Sequence, residues 1–223
     1  KITNAMYLIA STKLQKAKSE LDKTRPYFTA LSGEIKRVFR TVDKVNSPYF
    51  YPETGIHDLP GAYGYLVITA DKGLAGAYNQ NVIKKAAELM KRHDNNKLFV
   101  VGEYGRHYFN THNVPIEQSF LYTAQSPTIQ RAREISSTLT QMYLDGELSK
   151  IFVVYTDFSS GLDNDALSAR LLPFHPAQFA TPEGEEVVDS PFEFTPSIEK
   201  VLDSIVPSYI TGFVYSALVD SYC

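Results

Sequence analysis

Cysteine is almost absent from this sequence. Its single thiol, Cys223, excludes an internal disulfide and a cysteine metal cluster, and fits a reducing compartment. Uninterrupted apolar runs are short as well. None approaches the roughly 18 residues that cross a bilayer, so the expectation is a soluble or peripheral chain with no transmembrane segment. No charged-then-apolar leader stands at Lys1, and there is no internal repeat or low-complexity tract.

Phosphate-loop chemistry is missing where it would be expected. TADKGLAGAYN, Thr69 to Asn79, sits between an apolar strand-like run and a helical one, but carries only Gly73 and Gly76. The dinucleotide fingerprint needs three glycines, and the hydrolase phosphate loop needs Lys and Ser or Thr where Ala77 and Tyr78 stand. A structural turn exposing Asp71 and Lys72 is the expectation, with anion binding at the following helix start as the alternative. His57, His93, His107, His112 and His175 have no metal-ligand spacing. Asp157, Asp163 and Asp165 lie in a run of turn formers and read as a solvated loop. Ser159 and Ser160 have neither a nucleophile elbow nor an identifiable base. No catalytic residue, metal or cofactor is expected.

What is present is a core's worth of apolar side chains, 43% of 223 residues, and a lopsided charge. Lys1 to Val45 holds 10 Lys/Arg against 4 Asp/Glu, whereas the remainder holds 12 against 21. A basic arm on an acidic body suits an acidic partner, or else is a solvated helix face. Nucleic acid fits poorly, because the arm lacks interleaved stacking aromatics and the body would repel phosphate.

The arm has a seam. Leu14, Ala17, Leu21, Thr24, Phe28, Leu31, Ile35, Val38, Val42 and Val45 recur at alternating steps of three and four, a heptad pattern. Ile2, Met6 and Ile9 or Ala10 continue it upstream. Such a helix exceeds a small domain's diameter and must project. Pro26 falls on its outer face, and Asn46, Ser47 and Pro48 end it. At the other end Thr195 is the expected cap of a second helix, with Pro196 first in it. Ile198, Leu202, Ile205 and Tyr209 form its stripe, extended by Val214, Ala217 and Leu218 past Gly212. Both chain ends read as cut in mid-pattern.

Between the helices, strand and helix signals alternate. Strands are expected at Tyr65–Ala70, Leu98–Val101, Gln118–Tyr122, Ile151–Tyr155 and Ala166–Phe174, with helices at Asn79–His93, Glu103–Thr111 and Pro127–Leu144. The fold class expected is α/β: a long antiparallel two-helix coiled coil of the N- and C-terminal helices, plus a Rossmann-like α/β domain between them. The expected divisions are 1–60 for the first helix and its connection, 61–194 for the α/β foot, and 195–223 for the second helix.

Four stretches resemble one family. KITNAMYLIASTKLQKAK is similar to K-I-T-x-A-M-x-x-V-A-A-S-K-L-x-K-A of the gamma subunit of F-type ATP synthases. TRPY resembles that family's R-P-Y, YLVITADKGLAGAYNQNV its strand and turn, and TPSIEKVLDSIVPSYITGFVYSALVDSY its second long helix. Tyr7, Leu8 and Ala75 depart from common family residues, and no cysteine-bearing chloroplast insertion is present. The sequence is thus identified as a member of that family, bacterial and lacking both chain ends.

The resemblance implies a non-catalytic central rotor shaft. It would transmit torque between the membrane c-ring and the catalytic alpha/beta hexamer during ATP synthesis coupled to proton or sodium transport. It implies alpha, beta and epsilon subunits and the c-ring as partners, at the cytoplasmic face of the plasma membrane. Met6, Ile9, Lys13, Leu14 and Lys16 would be shaft contacts, and Asp71, Lys72 and Gly73 an exposed turn facing the hexamer. The competing possibility is a nucleotide- or phosphate-binding α/β protein with a dimerising helical arm.

Overall fold

The computed structural model describes residues 2–41, 45–52, 60–71, 77–121, 127–157, 165–179 and 197–221. Two long helices frame a five-stranded sheet. α1 (Ile2–Thr41) is unbroken through the exposed Pro26, and its 40 residues span about 60 Å at 1.5 Å each. Then come β1 (Ala62–Ile68), α2 (Ala77–Met90), β2 (Asn96–Val101), α3 (Glu103–Thr111), β3 (Gln118–Phe120), α4 (Ile129–Leu144), β4 (Leu148–Thr156), β5 (Ala166–Leu172), a short 3-10 turn (Pro176–Phe179) and α5 (Ile198–Asp220).

The sheet runs in the order β3-β2-β1-β4-β5. β1 to β4 are parallel, and β5 closes the edge antiparallel to β4. Chain order reverses between β1 and β4, as in dinucleotide-binding folds. Alternating strand residues feed two cores. Tyr65, Val67, Leu98, Val100 and Val154 face α2 and α3, where they meet Val82, Ile83, Ala86 and Phe109. Leu66, Ile68, Phe99, Val101, Ile151 and Val153 face the opposite side, joining Ala132, Ile135 and Leu139 of α4 and the buried face of α5.

The heptad positions of α1 are the ones that bury. Ala17, Leu21, Leu31, Ile35 and Val38 are buried and Thr24 and Phe28 half-buried, whereas Lys18, Ser19, Glu20, Asp22 and Lys23 are exposed. α1 lies against α5 in the antiparallel sense. Glu20 is near Tyr215, Phe28 meets Gly212, and Tyr49, just beyond α1, is near Asp203. At the base, rings of Phe39, Phe50, Phe174, Phe179 and Tyr209 pack at centroid distances of 4.7 to 6.3 Å and tie both helices to the foot.

Three expectations need correction. The cap of α5 is Ser197, whose hydroxyl accepts from Lys200 N at 3.2 Å; Thr195 and Pro196 lie outside the described residues. Its deepest stripe is Leu202, Val206, Ile210 and Val214, while Ile205 and Tyr209 are only half-buried. α5 is covered by α4 as well as α1, so its apolar face is wider than one seam and turns toward the foot. For the same reason α5 is apolar enough, over a sufficient length, to pass a compositional test for a membrane span, contrary to the sequence expectation. Half of that window is buried within the protein, as in a core helix.

Candidate functional site

The first part of the site is the projecting end of α1. Met6, Ile9, Lys13 and Lys16 are spaced three, four and three apart and so share one helical face, while Leu14 falls with the seam residues. Ile9 is 57% and the adjacent Leu8 64% exposed. Lys13 and Lys16 are exposed, and neither has an ion-pair partner among the described residues. Asp220 of α5 lies near Lys18 and Arg25.

The second part is the turn after β1, and here the structure departs from expectation. Asp71 is half-buried rather than displayed, because the TAD segment caps a helix distant in sequence. Glu103 N donates to Asp71 Oδ1 at 3.1 Å, Tyr104 N to Ala70 O at 3.0 Å, and Gly105 N to Thr69 Oγ1 at 3.0 Å. The first three amides of α3 are thereby satisfied. Buried Asn79, at the start of α2, accepts from Ala70 N at 3.0 Å and ties the same segment to a second helix. Lys72 and Gly73 lie outside the described residues. The start of α3 is thus filled by the chain itself; residues 72–76, which lead into α2 where the alternative places an anion, lie outside the described residues. His93, His107, His112 and His175 stand apart, and no group of three metal-ligating side chains occurs among the described residues. His57, Asp163, Ser159 and Ser160 fall outside them.

Across its whole length, residues 1–223, the sequence matches the family model described as ATP synthase. It is 40% identical to the ATP synthase gamma chain of Caldanaerobacter subterraneus subsp. tengcongensis, covering 100% of this chain and 77% of the relative. The chain belongs to the ATP synthase gamma-chain family. A second relative from that family, in Caldicellulosiruptor saccharolyticus, is 31% identical over 100% of this chain and 76% of its own length. The chain therefore spans about three quarters of these family members. Among solved structures, the central stalk and c-ring of Tetrahymena thermophila mitochondrial ATP synthase contains a chain with TM-score 0.63 and 20% identity, covering 99% of this chain and 92% of that one. At that identity the likeness concerns the fold.

A charged cluster lies where α1 and α5 pass the end of β4. Asp220 of α5 faces Asp157 after β4, with Lys18 and Arg25 of α1 opposite and Ser216 donating nearby. Burial, and then Asp157, push the Asp220 carboxyl above the usual range; Arg25, Lys18 and Ser216 pull the other way. Between its ordinary value and its raised one, the folded state binds more protons than the unfolded, so stability is lost as pH rises through that window. Asp220→Asn is expected to raise the melting temperature by a few degrees at pH 7. The gain should fade below the ordinary aspartate range, and a gain persisting at pH 3 would refute the assignment.

Proposed function

We propose that this chain is the rotating central shaft of an F-type ATP synthase, non-catalytic itself, which carries torque between the membrane ring and the catalytic hexamer. The observation that carries this is the pairing of α1 against α5 in opposite directions, with the packed foot at one end of the pair. A helical pair rooted in a packed foot resists twist, and the basic and apolar first turns of α1 offer a surface to the parts that turn around it. The alternating three-and-four burial from Ala17 to Val38 supports a coiled coil. On this reading 1–60 and 195–223 are the shaft and 61–194 the foot.

The tip residues Met6, Ile9, Lys13, Leu14 and Lys16 would meet alpha and beta subunits, the lysines facing acidic side chains. Asp71, Lys72 and Gly73 would mark the side of the foot turned toward the hexamer. Epsilon and the c-ring would bind the foot, at the cytoplasmic face of the membrane. Co-purification with alpha and beta subunits tests the assignment. Met6→Lys adds a third cation to the face that holds Lys13 and Lys16. ATP-driven ion pumping by the reassembled complex is expected to fall severalfold while the isolated chain stays folded. Normal pumping would remove Met6 from the contact set.

A further inference from the structure

We infer that two buried polar links, Ser136 with Thr211 and Thr156 with Ser221, pin α5 to the foot and set the torsional stiffness of the rotor. This rests on the shaft role proposed above. The face of α5 toward α4 and the sheet is otherwise apolar: Leu202, Val206, Ile210, Val214, Ala217 and Leu218. Apolar contact resists separation but is non-directional, so by itself it holds a helix weakly against sliding or rolling. Hydrogen bonds have narrow limits of distance and angle and therefore fix register.

The links are placed to do this. Ser136 Oγ of α4 and Thr211 Oγ1 of α5 are 2.7 Å apart, with the residues only 2% and 6% exposed. One hydroxyl donates across to the other, whose own proton goes to its helix's carbonyl, Arg133 O for Ser136 or Pro207 O for Thr211. Thr156 N, at the end of β4, donates to Ser221 Oγ at 3.3 Å, and that hydroxyl donates back to Thr156 O at 3.2 Å. Tyr78 of α2 reaches the same point, its hydroxyl donating to Ser221 O at 2.9 Å. Positions 211 and 221 are about 15 Å apart along the axis and about 80° apart around it. Two points so arranged block axial slip and rotation together. Packing does not require them: an alanine and a valine fill the space of Ser136 and Thr211 without a polar group.

The test uses the full complex with the alpha/beta hexamer held on a surface and a probe fixed to the foot. The angular variance of the probe within one dwell measures the compliance of the rotor. S136A/T211V removes both hydroxyls of one link and leaves no orphaned partner, so it should fold like the wild type; adding S221A removes the other and takes the acceptor from Thr156 N. A melting curve therefore checks that the triple variant is folded before its variance is read. The triple variant is expected to widen the variance about twofold, since both side-chain links are lost and only the Tyr78 hydroxyl still holds the carbonyl of residue 221. T211S on its own and S221T on its own, which retain the hydroxyls, should keep the wild-type value. A triple variant as stiff as the wild type overturns the pins. A wild-type probe that does not turn on adding ATP overturns the shaft role itself.

Discussion

Gly102→Ala is expected to destabilise the chain by about 3 kcal/mol or more, the sum of a backbone strain and a steric clash. Gly102 caps α3 at φ 93° and ψ 146°, a region that side-chain-bearing residues rarely enter. A Cβ there would lie 2.7 Å from the Thr69 carbonyl carbon and 2.8 Å from Ala70 O, and closer still to Thr69 O. Neither atom can retreat. Thr69 N is bonded to Val101 O at 2.9 Å, and Ala70 O accepts from Tyr104 N at 3.0 Å. The clash therefore dismantles the cap that Thr69, Ala70 and Asp71 provide. Gly146 supplies the control, with φ 84° and nothing within 4 Å of its would-be Cβ. Gly146→Ala should cost only about 1 kcal/mol, the left-handed strain alone. Urea titrations of the two variants measure the difference, and equal losses would mean that the approach to Thr69 has room to give.

Gly212→Val strikes the shaft instead. A Cβ at 212 would sit 2.7 Å from Phe28 Cγ and closer to Cδ1 and Cε1. The conflict is with the root of the ring, so a small swing of its far end gives no relief. The expected loss is about 2–3 kcal/mol, as for other overpacked cores, with the two helices forced apart at mid-length. The contact is specific, so Phe28→Ala and Gly212→Ala in one chain should cost less than the sum of the separate changes, by about 1 kcal/mol or more. Additive thermal or urea losses would place the ring elsewhere. Assembly with alpha and beta subunits should fall in Gly212→Val and recover in the Phe28→Ala background.

Much of this architecture is legible residue by residue. The seam of α1 announces itself because a heptad repeat is a one-dimensional signal, and burial follows it from Ala17 to Val38. Ile135 and Leu139 of α4 are equally plain. Other features need two distant stretches at once. Asp71 looks like a displayed turn residue, and nothing local says that it will reach Glu103, 32 positions on. Val206 and Ile210 outrank Ile205 and Tyr209 because α4 covers the flank of α5, and a single-partner stripe cannot register a second neighbour. Ser221 reads as a routine helical serine until β4 ends beside it. Of the candidate contact residues, the periodicity of α1 brings Met6, Ile9, Lys13 and Lys16 to one face.

The two long helices are not held alike. α5 is clasped along one flank by α4 and touches β4, whereas α1 meets the foot chiefly through the ring cluster at its base and otherwise leans on α5. Twist applied below can enter α5 along its clasped flank, but α1 only at the ring cluster and then through side chains such as Phe28. The two helices are anchored at different places, so equal damage to each should not slow the machine equally.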